Sequence, residues 1–346
     1  MNIKIRKLSI TVTIAILILV GQFIFIQDKQ VNQKAVFKSD FDLSIAASEL
    51  WREKGLYDNT VIQSIAFDNE NQKNYSLQLI SGDKTLPGEK DVVSAAKRAD
   101  NGDLCVTQMD LQGNIVGHMY LKSFGHGVQF GVEADGKDSY LWTEVDAVSD
   151  GSNGWGRRLC RFKFANEAVL TPDSDSLTKY ELIANVDRTT CNIDVLNGYL
   201  TMRYRKNGNF RYGVFKLADI KAGKYKAIYD VEQPANLGTF QGYASLGEYL
   251  YLLDGNSYNG TISVPPKGNT YITAVDLKSG KQMSRQLTTA GSELSFREPE
   301  GMAIQITNMK KPSEARLCFS FASGNSGSRK ASIYYYKNAD LNGGTK

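Results

Sequence analysis

The sequence predicts an all-β protein, a five-bladed β-propeller preceded by an N-terminal transmembrane helix. Three observations carry that prediction: a strand–turn–strand unit that recurs five times, a second hairpin unit that follows each copy, and an uncharged N-terminal run with a basic flank. The composition agrees. With 31 Gly, 7 Pro, 18 Tyr and 15 Phe in 346 residues, the chain is suited to aromatic-rich strands joined by glycine turns.

The N-terminal run comes first in the chain. Residues 8–26, LSITVTIAILILVGQFIFI, carry no charge and follow Lys4, Arg6 and Lys7. At about 1.5 Å per residue, a helix of that length spans the hydrocarbon core of roughly 30 Å. The basic segment 1–7 stays in the cytoplasm under the positive-inside rule, which places residues 27–346 outside. The alternative is a cleaved signal peptide and a secreted protein. Against it, the run ends in Phe23, Ile24, Phe25 and Ile26 with no small-residue cleavage site. Residues 27–55 read as a polar tether with a short helix within 42–54, and residues 56–346 as the propeller.

The first repeated unit is an apolar strand, a turn and a strand rich in Tyr and Leu. It begins at Gln63 (QSIAF), Gln129 (QFGV), Cys191 (CNIDV), Gln241 (QGYAS) and Glu300 (EGMAI). The second unit is exemplified by LCVTQMDLQGNIVGHMYL, RLCRFKFANEAVL, YGVFKLADIKAGKYKAIYD and YITAVDLKSGKQMSRQL. Aligned on Asp110, Lys163, Lys216, Asp276 and Lys337, the copies fall roughly 53 to 61 residues apart, longer than a compact blade of ~40–45 residues. Two hairpins make a four-stranded sheet, and five such sheets make a ring. The fifth copy ends after one outer strand, so a segment within 35–43 or 57–62 is expected to close it and remove the open edge. A β-sandwich or a pair of β-domains is the competing architecture, and five matched copies argue against it.

Several function classes are excluded. Lys4, Arg6 and Lys7 account for three of 41 basic residues, and the remainder nearly balances 37 acids, so the domain lacks the basic excess of a nucleic-acid binder. Cys105, Cys160, Cys191 and Cys318 show no CxxC spacing for zinc and lie in apolar strand contexts, which favours buried thiols over two disulfides. DGSNGWG at 150–156 is Gly-rich but opens no helix, and no GxxxxGK[ST] or GxSxG occurs. No cofactor is expected. An acidic turn at 68–74 could hold calcium but reads more simply as a hairpin turn.

In a propeller the first strand of each blade lines the central channel, and the loops leading into those strands share one mouth. The candidate ligand-binding residues are accordingly Gln63, His126, Gln129, Glu144, Asp194, Gln241, Arg297, Glu298 and Glu300, with Phe124, Trp142 and Tyr243 as aromatic neighbours. Amides and carboxylates around a concave mouth suit hydroxyl-rich or cationic ligands. Structural alternatives stand beside them: the glutamines as channel hydrogen bonders, His126 as a turn-stabilising hydrogen bonder, and Arg297 as an ion-pair partner of Glu298 or Glu300; His118 reads as an outer-strand packing residue. Glu144, Glu298 and Glu300 could also supply the acid and base of a glycan-active enzyme.

The run at 101–146, which includes FGHG and YLWTE, together with QSIAFDN, FQGYA and REPEGMAI, resembles the TagC and helveticin J family, whose propeller is shared with receptor-binding proteins of phages of Gram-positive bacteria. The resemblance covers about residues 60–340. It implies a propeller at the bacterial surface that binds a cell-wall glycopolymer, teichoic acid above all, or a bacteriocin-type antibacterial role. It also implies that the FGHG, FQG and REPEG residues ring the binding face. The anchor at 8–26 favours a resident envelope protein over a secreted bacteriocin.

Overall fold

In the computed structural model, which describes residues 40–338, apolar strands of the repeats pair as five four-stranded antiparallel sheets, one with an added strand. Blade 1 comprises Ile62–Asp68, Lys73–Leu79, Leu104–Met109 and Ile115–Leu121. Blade 2 comprises Gly131–Asp135, Asp138–Val145, Arg158–Lys163 and Thr178–Tyr180. Blade 3 runs through Asp187–Asp194, Tyr199–Lys206, Asn209–Lys216 and Tyr229–Glu232, and blade 4 through Phe240–Leu246, Tyr249–Asp254, Tyr271–Asp276 and Gln282–Leu287. Blade 5 takes Glu298–Gln305, Arg316–Ser323 and Lys330–Lys337 from the end of the chain and its outer strand, Ser48–Gly55, from near the beginning.

The core is divided among the blade interfaces. Middle strands such as YLYLLD are covered on both faces, which explains their near-continuous apolar character. One cluster joins blades 1 and 2 through Leu77, Val106, Phe130 and Leu141. Others join blades 2 and 3 through Trp142, Cys191 and Met202, blades 3 and 4 through Tyr212, Tyr243 and Leu252, and blades 4 and 5 through Tyr251, Ile304 and Phe319. The fifth, with Ile65, Phe67, Cys318 and Ile333, joins blade 5 back to blade 1 and closes the ring. All four cysteines are buried free thiols, each held above the ordinary thiol range by burial.

The ring closes with a different segment from the one expected. Residues 48–55, read as part of a short helix, form a strand antiparallel to Lys330–Lys337, with Ser48 opposite Tyr335 and Gly55 opposite Lys330. Two register shifts break its alternation, so its polar SELWREKG pattern resembles neither period. Trp51 is its buried anchor and donates Nε1–H to the Leu111 carbonyl of blade 1, 3.1 Å away. Within 35–43, Phe41 contributes one isolated bridge to Asn338. A second correction concerns blade 2. Val169–Leu170, read as its outer strand, instead lies parallel to Tyr120 and Leu121 of blade 1, and Thr178–Tyr180 completes blade 2. Two short helices, Ala95–Asn101 and Leu217–Lys221, interrupt the strands, and the second falls within a run read as a hairpin unit. The basic segment, the membrane-span expectation at 8–26 and most of the tether lie outside the described residues. Among the described residues no helix is long and apolar enough to cross a membrane.

Close backbone approaches narrow the channel beneath its mouth. A Cβ on Gly242 would lie 2.6 Å from the Cα of Gly301, and one on Gly301 would lie 2.5 Å from the Cα of Ser64. Inner strands of blades 4, 5 and 1 therefore touch backbone to backbone, and only glycine fits. The mouth above them is a bowl.

Candidate functional site

The bowl is shaped by β-bulges at the leading ends of the inner strands. Register shifts fall between Ile62 and Ser64 in blade 1, Phe240 and Gly242 in blade 4, and Asp187 and Thr190 in blade 3. An extra residue in a strand redirects its side chain. In blades 1 and 4 that residue is Gln63 and Gln241, and both line a cavity of about 540 Å³. In blade 5, Glu298 and Glu300 lie two apart on one strand, so both face the same cavity. The helix Ala95–Asn101, inserted between the second and third strands of blade 1, presents Ala95 and Ala99 as an apolar wall. It is fixed by fully buried Arg98, which bonds Glu89 at 2.6 Å and Asp103 at 3.0 Å.

The blade 2 side is locked from below by Glu144. This fully buried carboxyl accepts from the Gly127 N–H at 2.7 Å and the Gly156 N–H at 2.6 Å, and the His126 N–H also bonds to it. Burial pushes its pKa up to about 7 against the opposing effect of those donors. Side chains cannot replace the glycines around it: a Cβ on Gly125 would fall 2.0 Å from Glu144 Cδ, and one on Gly156 2.4 Å from Glu144 Cβ. Glu144 thus binds the FGHG loop to the 150–156 loop. Above it, half-buried His126 stacks on Trp155 with ring centres 4.6 Å apart, and the Arg188 guanidinium covers Trp155 at 4.2 Å. Trp155 Nε1 and Arg188 Nη2 both donate to Asp150, at 2.7 and 2.8 Å. Burial, with Arg188 nearby, lowers the His126 pKa to about 4, so the imidazole is neutral, and its buried Nδ1 has no hydrogen-bond partner.

The opposite wall is different. Glu300 is 4% exposed and Gln63 is 8% exposed, and neither side chain has a hydrogen-bond partner among the described residues. Burial holds the Glu300 carboxyl well above the usual carboxylate range, with the Glu298 charge adding to the effect. Burial also raises Glu298, and Arg329 partly opposes it. Gln241 spends one N–H on the Gly255 carbonyl at 3.1 Å. Phe240 and Trp155 supply aromatic surface to the same cavity.

Of the nine candidates, Gln63, His126, Gln241, Glu298 and Glu300 converge on this cavity. The other four are placed elsewhere. Gln129 is fully buried and spans the ring: Nε2 donates to the carbonyls of Met302 (2.7 Å) and Phe130 (3.2 Å), and Oε1 accepts from the N–H groups of Tyr243 and Met302. Asp194 sits at the trailing end of its strand, which begins four residues earlier than its apolar run suggested. Its oxygens accept from Leu196, Asn197 and Gly247. Arg297 forms no ion pair with Glu298 or Glu300. It turns into the blade 4–5 interface, bonds Ala290, Thr270 and Thr288, and stacks on Phe321 at 4.3 Å. Glu144 is the buried lock described above. Phe124, Trp142 and Tyr243 are fully buried core rings. Asp68, in the turn considered for calcium, bonds Asn71 and Ser139. His118 stacks on Tyr57 at 3.4 Å. Trp155 and Phe240 were missed as site residues: Trp155 hides in a Gly-rich loop, and Phe240 precedes the QGYAS run.

Residues 61–335 match the family described as the phage 5-bladed β propeller receptor binding platform domain. A Bacillus subtilis (strain 168) protein named "Putative major teichoic acid biosynthesis protein C" is 29% identical over 307 residues, covering 86% of this chain and 64% of that protein. The tail fiber of Staphylococcus aureus phage P68 superposes with a TM-score of 0.66 at 21% identity, covering 86% of this chain and 54% of the fiber. The chain therefore spans less than two thirds of the length of either relative, and the fiber supports the fold alone.

Proposed function

This chain belongs to the phage five-bladed β-propeller receptor-binding platform family, and from that premise we propose that its channel mouth binds a hydroxyl-rich cell-wall glycopolymer of the teichoic-acid class. The observation that carries the reading is the wall of Gln63, Glu298 and Glu300, whose polar atoms are unspent, facing the aromatic surface of Trp155 and Phe240 across one bowl. A sugar or polyol offers a rim of hydroxyls and apolar C–H faces, and such a bowl complements both. The name of the Bacillus subtilis relative, which concerns teichoic acid, supports the same ligand class. We place the propeller outside a Gram-positive cell, tethered by a single span at 8–26.

We favour binding over glycan hydrolysis because one of the three candidate carboxyls is already committed. Glu144 has both oxygens committed to backbone donors, which removes it from any acid–base pair with Glu298 or Glu300.

The test uses the full chain in detergent with purified Gram-positive walls, intact or stripped of phosphate-linked polymer. Binding to intact walls, lost on stripping and weakened about tenfold or more by Trp155→Ala, is the expected result. Equal binding to stripped walls would refute the reading.

A further inference from the structure

A buried carboxyl, a half-buried carboxyl and a buried glutamine, none with an ion-pair or hydrogen-bond partner, are a specific chemical demand. Glu298 and Glu300 share one face of the blade 5 inner strand, and neither has an ion-pair or hydrogen-bond partner among the described residues. Arg329, the cation that acts on Glu298, is engaged elsewhere: it stacks on Phe296 at 3.4 Å and donates to the Gly324 carbonyl. His126, across the bowl, lies beneath Trp155 beside Arg188 and Asp150 and supplies no charge. Independently, Gln63 on blade 1 projects more than nine-tenths buried into the same cavity with its amide unpartnered. Buried carboxyls that lack a partner are among the most costly groups a fold can retain.

We propose that the Glu298–Glu300 wall is a subsite for a primary ammonium group carried by the bound glycopolymer. The two carboxylates supply the countercharge and the Gln63 carbonyl a third acceptor. An ammonium has three donors and no acceptor, which matches a wall of acceptors; the polymer's phosphates, repelled by the carboxylates, would lie away from this wall. The proposal rests on the glycopolymer reading and narrows it to amine-bearing polymers.

A proton is coupled to the step. The free pair retains a proton because burial and mutual repulsion raise Glu300. Ammonium arrival stabilises both carboxylates, so that proton leaves to solvent and affinity rises with pH for as long as the ligand amine stays protonated.

Isothermal titration of the full chain with a glucosamine hexasaccharide and with its fully N-acetylated counterpart tests this directly. The amine form should bind about ten- to a hundredfold tighter. Its affinity should rise as pH is raised from about 5 to about 6, where the sugar amine still carries its proton, with proton release seen as a dependence on buffer ionisation enthalpy. Glu300→Gln should remove most of the preference and the pH dependence while the thermal midpoint stays at or above wild type. Equal affinity for the two sugars, or binding of neither, overturns the inference. The glycopolymer reading falls separately, only if intact walls are not bound.

Discussion

The two sides of the mouth each hold a buried glutamate, and the two are used in opposite ways. On the blade 2 side, Glu144 is saturated by backbone donors and encased by Gly125 and Gly156. On the blade 5 side, Glu300 faces the cavity with no partner. The residue type and burial are the same, so the difference lies in where the local donors are. A carboxyl whose hydrogen-bonding capacity is spent at home holds the architecture. One that retains its capacity in a cavity is available to a ligand.

The comparison breaks most visibly if Glu144 is truncated. Glu144→Ala strands the Gly127 and Gly156 N–H groups in the interior and should cost about 2–5 kcal/mol, read as a lowered urea midpoint. Gly125→Ala, which drives a methyl into the same carboxyl, should also destabilise the fold, by about 1–3 kcal/mol. If either variant is as stable as wild type, Glu144 is not a lock.

Glu300→Gln sharpens the contrast, because there the effect should fall on pH dependence. A carboxyl raised in the folded state binds protons that the unfolded chain has released, so stability falls as pH rises above about 4.5, the ordinary glutamate value. Relative to wild type, Glu300→Gln should therefore be unchanged near pH 4 and more stable at pH 8. His126 contributes with the opposite sign. Its folded pKa near 4 lies below the ordinary 6.5, so its contribution is lost as pH falls from 6.5 toward 4. His126→Gln should flatten the acid limb of a stability–pH profile over that window. The smallest effect is expected away from the mouth. His118→Ala removes the stack on Tyr57 and an edge contact with Tyr120 and should cost about 1 kcal/mol with no change in wall binding.

The blades were legible because each repeat alternates apolar strands with turn residues, and five copies leave few architectures. The closing strand was not, because bulges erase the period-2 signal in SELWREKG and its partner lies at the far end of the chain. Val169–Leu170 was assigned to the wrong sheet because a two-residue strand carries no signature of its partner. At the site, glutamines at strand starts were readable as mouth residues, and Gln63 and Gln241 are there. Gln129 begins its repeat in the same way, yet lies at the level where strands meet and is consumed by Met302 and Tyr243. Sequence gives the polar group but not its distance from the nearest donor, and that distance separates Glu144 from Glu300. Arg297 and Asp194 differ from expectation for the same reason, each finding backbone partners within its own blade or the next.

The central claim is that unspent polarity on the blade 5 and blade 1 side of the bowl binds the wall polymer. Its most direct measurement is the affinity of the Gln63→Ala/Glu300→Gln double variant for intact Gram-positive walls, with circular dichroism confirming the β-fold. A loss of about tenfold or more at a thermal midpoint no lower than wild type is the predicted result. Wild-type affinity in that variant would contradict the account.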